Sequence, residues 1–156
     1  MDVSLMIQDF KFNYRVATVI RNGDKILLHK SINDDFYAIP GGRIKIGEDS
    51  TSAIKREILE EIGVNIKVNK MIGLVENFFE YDGKKCHEVM IVFSSSFDED
   101  SKIYNQDIIK VIDKNGEINL IWKNIQDIKE LEVRPIKLKN ILINEPKGFF
   151  HFVNNS

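Results

Sequence analysis

Three glutamates close together in the chain, Glu57, Glu60 and Glu61, could do chemistry as a group, with Glu48 upstream and Arg56 directly before them. On a helix, positions i, i+3 and i+4 fall within roughly a 100° arc. Like charges at that spacing repel by about 0.2–0.5 kcal/mol per pair. Two basic residues, Lys55 and Arg56, are too few to neutralise these three carboxylates and Glu48. A divalent cation would relieve the repulsion. Hard carboxylate oxygens suit Mg²⁺ or Mn²⁺, and Mg²⁺ commonly keeps waters and takes phosphate oxygens as further ligands. The bland alternative is a solvated helix face, which is what a Glu-Glu pair alone usually means.

A helix must hold these groups, and the flanking residues supply one. Asp49, Ser50 or Thr51 can cap its start, and Gly63 can provide a left-handed stop. Ile54, Ile58 and Ile62 step by four and form an apolar stripe, with Leu59 beside it. One face can therefore enter a core while another shows carboxylates. Ahead of the helix lies Pro40-Gly41-Gly42. Its glycines permit backbone close to a ligand or metal, and Gly42 could offer its carbonyl. A Pro-Gly-Gly by itself reads as a plain turn.

Taken together, Gly42 to Val64 resembles the Nudix box, Gly-x5-Glu-x7-Arg-Glu-U-x-Glu-Glu-x-Gly-U with U aliphatic. Every fixed position is matched, with Ile58 and Val64 at the U positions. At average residue usage such a set should arise by chance in fewer than about one in a million chains. Phe36 to Gly42 looks like the segment that leads into the box. Trp122 and Pro135 sit where family members often have them.

The whole chain fits that resemblance. Its 156 residues suit one domain spanning 1–156, long enough to bury a core. With 43% hydrophobic and 29% charged residues it has the composition of a globular protein. A formal net charge of −2 argues against coating nucleic acid by bulk charge. The lone Cys86 excludes an internal disulfide and suits a reducing cytoplasm, with a small strand residue as the plain reading. The opening MDVSLMIQDF has acidic residues and no long apolar core, so no signal peptide is expected, and no apolar run is long enough to span a bilayer.

In order, residues 1–12 read as an irregular arm or short edge element. Tyr14–Ile20 and Lys25–Lys30 read as a hairpin around Asn22-Gly23-Asp24, and Phe36–Ile39 as a short strand. Ile66–Tyr81, broken at Gly73, and Glu88–Phe97 flank an Asp82-Gly83 turn. Residues 98–107 read as a surface loop. Ile108–Ile112 and Ile118–Trp122 flank a turn at Asp113-Lys114-Asn115-Gly116. Asp127–Glu132 reads as a helical turn, and Pro135 as the first position of a helix to about Ile143. Gly148–Val153 is apolar and reads as a last strand or a subunit contact, which makes a homodimer an option. Strands on either side of helices argue an α/β layer arrangement.

The resemblance implies an α/β/α sandwich with a mixed central sheet. It implies hydrolysis of a nucleoside diphosphate linked to another group, with water attacking one phosphorus of a pyrophosphate. It places metal ligands at Glu57, Glu60 and Glu61. Gly42 would add its carbonyl, and Glu48 would bind a further metal or stay structural. Arg56 would orient a carboxylate, and its i, i+4 relation to Glu60 makes that contact easy. The general base is left open between Glu60, Glu61 and a carboxylate outside the box, for which Glu117 is the candidate against a plain turn glutamate. Tyr81 stands at the spacing from Val64 linked to diadenosine polyphosphate members, and could stack on a base. His29, His87 and His151 show no ligand spacing and read as strand or surface residues. The alternatives are a nucleotide-binding module without turnover, and an isomerase of isoprenoid diphosphates, for which Cys86 is a lone candidate.

Overall fold

The computed structural model describes residues 1–113 and 116–155. Lys114 and Asn115, at the centre of one expected turn, lie outside the described residues. Among those described, nine strands form one mixed sheet. They are β1 (Ser4–Ile7), β2 (Phe10–Asn22), β3 (Lys25–Ser31), β4 (Gly41–Arg43), β5 (Lys67–Tyr81), β6 (Lys84–Ser96), β7 (Ile108–Asp113), β8 (Gly116–Asn124) and β9 (Phe150–Asn155). The order is β7-β8-β3-β2-β6-β5-β9, with β1 and β4 also on β2. The β2–β6 and β5–β9 ladders are parallel and the others antiparallel.

Helix α1 (Ser50–Ile62) covers one face. Its Ala53, Ile54 and Ile58 are fully buried with Val16, Ile20, Leu27, Phe93 and Trp122. The short helices α2 (Ile125–Ile128) and α3 (Leu138–Ile143) cover the other, setting Ile128, Leu138 and Leu142 against Ala17, Val19, Leu28 and Val92. The α/β/α layering expected from the resemblance is therefore present. Trp122 is a core residue whose indole N–H donates to the Ile103 carbonyl at 3.0 Å.

One feature of the sheet positions the site. β2 meets β3 only at Arg21↔Ile26 and Asn22↔Lys25, just beside their turn. Lower on β2 the same edge is taken by β4, through Arg15↔Arg43, Val16↔Gly42 and Ala17↔Gly41, and then by β1. The β3–β8–β7 ladder thus parts from β2, and the glycine-rich segment enters the gap.

Several expected boundaries shift. Of the two readings of residues 1–12 the short edge element holds, as β1, while β2 starts earlier than expected, at Phe10, because β1 and β6 supply partners on both its edges. Phe36–Ile39 forms only isolated bridges, Tyr37↔Val133 and His29↔Ala38. β5 is not broken at Gly73 but carries register shifts at Val68/Lys70 and Met71/Gly73, while the Phe150 ring lies where a Gly73 side chain would sit. The 98–107 loop contains a 3-10 turn, Lys102–Asn105, pinned by buried Ile103. The expected second helix begins at Leu138 rather than Pro135, whose carbonyl accepts from the Leu138 N–H in a preceding turn. Gly148 and Phe149 precede β9, which does form.

Candidate active site

The helix that carries the glutamates is fixed at both ends by local chemistry. Asp49 is the N-cap: its Oδ1 accepts from the Ser52 N–H at 2.9 Å and its Oδ2 from the Ser52 hydroxyl at 2.8 Å. Gly63 ends the helix at φ +79°, its N–H donating to the Leu59 carbonyl. The apolar stripe is as spaced, except that Leu59 is exposed, because it falls outside the arc that meets the sheet.

Arg56 is the hub of the acidic cluster. Its Nε and Nη2 donate to the two oxygens of Glu48 at 2.7 and 2.8 Å. Its Nη1 donates to Glu57 at 2.9 Å and Glu60 at 3.3 Å, and Nη2 also reaches the Arg43 carbonyl at 3.0 Å. The forked bond to Arg56 holds the Glu48 carboxyl down at about 2, and Glu48 also accepts from the Lys45 N–H. The expected Arg56–Glu60 contact is present, and it is the longest of the set.

Glu57 is mostly buried, and burial pushes its carboxyl above the usual range despite Arg56. It lies directly against Gly42: any side chain there would collide with its carboxylate. Gly41 is pressed as closely on the Val16 and Ala17 backbone of β2. Gly41 is thus required by the backbone packing, whereas a side chain at position 42 would have to displace the Glu57 carboxylate. Glu60 is largely exposed.

Glu61 is the outlier. Its Oε2 is buried with no hydrogen-bond partner. Burial first, and the neighbouring Glu57 second, push its carboxyl up to about 8. Arg15 opposes that rise, whereas Asp113 and Glu60 add to it.

Sequence reasoning missed three of the groups around this cluster. Asp113 at the end of β7 acts on Glu61. Glu117 is the second residue of β8, with its carbonyl accepting from the Ile32 N–H. His29 of β3 is partly buried near Arg15, Asp113 and Asp34, and burial lowers its pKa. Arg15 itself sits within a run of β-formers, and a charge in such a run was the available signal. His87 packs on Phe78 and Phe12, and His151 pairs with Glu76, so both are the strand and surface residues expected. Tyr81 is at the tip of β5, half exposed, with its hydroxyl donating to Asp34 at 3.1 Å rather than touching the glutamates. Cys86 is buried in strand β6, with its thiol 3.7 Å from the Lys84 carbonyl.

Among the described residues, no three His, Cys, Asp or Glu side chains are already gathered as a metal cage. Arg56 holds part of the cluster in its place. The residues nevertheless fit a hard cation: two half-desolvated carboxylates stand side by side, and one buried oxygen lacks any partner.

Such a site, at the parting of a mixed sheet between two helical layers, defines a carboxylate-based binding centre on an α/β/α sandwich. The chain matches the NUDIX domain model over residues 11–141 and belongs to the Nudix family. Among its relatives is an ADP-ribose pyrophosphatase of Methanocaldococcus jannaschii, 41% identical over 50% of this chain and 47% of that one. The match therefore spans about half of that relative's length. An uncharacterised Nudix hydrolase of Bacillus subtilis is 27% identical over 75% of this chain and 69% of that one. The NUDIX hydrolase structure from Nitrosomonas europaea superposes with a TM-score of 0.64 at 15% identity, covering 92% of this chain and 79% of that one. The MutT protein structure from Methanosarcina mazei gives 0.61 at 23%, covering 88% and 94%. These structural likenesses concern the fold.

Proposed function

We propose that this chain hydrolyses a pyrophosphate bond in a nucleoside diphosphate linked to a further group, with Mg²⁺ or Mn²⁺ as cofactor. The observation that carries the reading is Glu61: a carboxylate buried beside Glu57 with an oxygen left unpartnered, inside a complete Nudix box. Relatives named as pyrophosphatases, including an RNA pyrophosphohydrolase, support the reaction class. Glu57, Glu60 and Glu61 would hold the cation, with the Gly42 carbonyl as a further donor. A bound cation would supply neutralisation of phosphoryl oxygens and a more acidic water.

The chain's own residues do the rest. Arg56 fixes the Glu57 carboxylate from one side, and glycine at position 42 leaves room for it on the other. Glu48 is fully engaged by Arg56 and Lys45, so its assigned role is structural. Proton removal from water is assigned to Glu60 or Glu61, with Glu117 as the outside candidate and Asp113 as the carboxylate that acts on Glu61. Tyr81, tied to Asp34, is assigned to the substrate side. The substrate class takes in nucleoside triphosphates, dinucleoside polyphosphates and nucleotide sugars.

A panel of nucleoside diphosphate derivatives, with products identified by chromatography, tests the reading. Release of a mononucleotide or phosphate that needs a divalent cation supports it. Nucleotide binding without any released product across the panel would favour a binding module instead.

A further inference from the structure

On the other side of β4 from Glu57 two arginines face each other. Arg15 and Arg43 are Cα partners in the antiparallel β2–β4 ladder. Directly opposed residues leave the same face side by side, and like charges so placed destabilise the pair. Successive side chains alternate across a strand, so Arg43 points away from the face on which Gly42 meets Glu57.

Among the described residues neither guanidinium has a full set of hydrogen-bond partners. The Arg43 Nε is buried without a hydrogen-bond partner. Arg15 is a third exposed, and its distance to Glu88 Oε2 is 3.8 Å, an ion pair too long for a hydrogen bond. Glu88 is itself held in place. Asn13 Nδ2 donates to its Oε2 at 3.0 Å, and the Ser4 hydroxyl donates to Asn13 Oδ1 at 2.7 Å. Glu88 and Asn13 are 8% and 3% exposed. Burying a carboxylate is costly unless it is paired, and here the pair sets the direction of Arg15. Arg15 also acts on Glu61 and on His29, so it stands beside the acidic cluster.

Two adjacent forks with open donors, next to a cluster suited to a divalent cation, match the oxygens of a phosphate chain. We propose that Arg15 and Arg43 form a clamp for the pyrophosphate portion of the substrate, with Glu88 and Asn13 as positioning residues for Arg15. The identity of the anion as part of a substrate rests on the pyrophosphohydrolase reading; the clamp itself rests on the geometry. Carboxylates and guanidiniums then hold one ligand from two sides of β4.

Calorimetric titration with inorganic pyrophosphate, with chelator present and at low ionic strength, tests the clamp in the full chain. Arg15→Gln and Arg43→Gln should each weaken binding about tenfold or more. Glu88→Gln should weaken it about threefold, because the Arg15 charge stays but its direction is released. Arg15→Lys should recover part of the loss. Melting temperatures measured without ligand separate folding from binding: a purely structural role would lower them and leave pyrophosphate affinity unchanged, which would overturn the proposal. No measurable binding by the wild-type chain overturns it too. If Arg15→Gln does not fold, Arg15→Lys and Arg43→Gln decide. A chain that cleaves nucleotides but binds pyrophosphate equally in both Gln variants has lost the clamp and kept the hydrolase. A chain that loses pyrophosphate in the variants yet cleaves no anhydride has kept the clamp and lost the hydrolase.

Discussion

Glu48 and Glu61 come from one motif and end in opposite surroundings. Glu48 receives both forks of Arg56 and a backbone N–H, and its carboxyl is held down at about 2. Glu61 has no such donor on its buried oxygen, and its carboxyl is pushed up to about 8. The residue type is the same, and the difference lies in what each was folded against. A carboxylate whose hydrogen bonds are complete secures the loop to the helix. One left incomplete is costly to keep charged in the bare protein, and a cation can make up the deficit.

The largest expected effect tests the incomplete end. Glu61→Gln should lower turnover about a thousandfold or more, since several kcal/mol of charge stabilisation would be lost. The metal-free variant should melt no lower than wild type. Steady-state rates at saturating Mg²⁺, with calorimetry beside them, measure both, and a near-wild-type rate would erase the contrast. Next comes the complete end. Arg56→Met leaves Glu48 and Glu57 without their shared cation and should cost about 3–5 kcal/mol in urea unfolding. A loss under 1 kcal/mol, the size of an exposed pair, would show that the two ends do not differ as described.

The pH dependence sharpens the comparison further. For Glu61 the folded pKa lies above the ordinary value of 4.5, so its contribution to stability is fully present below about 4.5 and is lost as pH rises through about 8. Glu48 runs the other way: its contribution is present above 4.5 and lost as pH falls through about 2. The metal-free melting temperature should therefore decline between about pH 4.5 and 8, and should do so less in Glu61→Gln; equal slopes would remove Glu61 as the cause. The smallest effect belongs to the cap. Asp49→Ala should lower the melting temperature slightly with little change in kcat, because it touches the helix start and neither carboxylate.

The helix, its caps and its three glutamates could be read from spacing alone, because each follows from contacts within a turn or two of the chain. So could the α/β layering, since alternating strands and a striped helix leave few ways to bury both. Arg15, Asp113 and His29 could not. They come from β2, β7 and β3; the fold brings Arg15 and Asp113 to act on Glu61, and His29 beside those two. The glycines carried a partial signal. Gly42 invited a ligand in the sequence, while in the fold it makes room for Glu57. Glu117 pairs with Ile112, one rung from Asp113↔Gly116 in the same hairpin, so strand alternation turns it to the opposite face from Asp113. Pro135 misplaced a helix start because a separate turn intervenes before Leu138.

The transfer of β2's edge from β3 to β4 has a corollary for engineering. The chain between Ile32 and Phe36 forms no strand rungs, so residues could be added there without unzipping the sheet. Its side-chain ties run through Asp34 to Lys30 and Tyr81, through Asn33 to Ser31, and through Phe36 to Arg134. Lengthening such a loop carries a closure penalty of only about 0.6 kcal/mol per doubling. That segment is therefore the place to graft a new selectivity loop onto this scaffold, while the helix, its caps and the Arg56 hub are left alone.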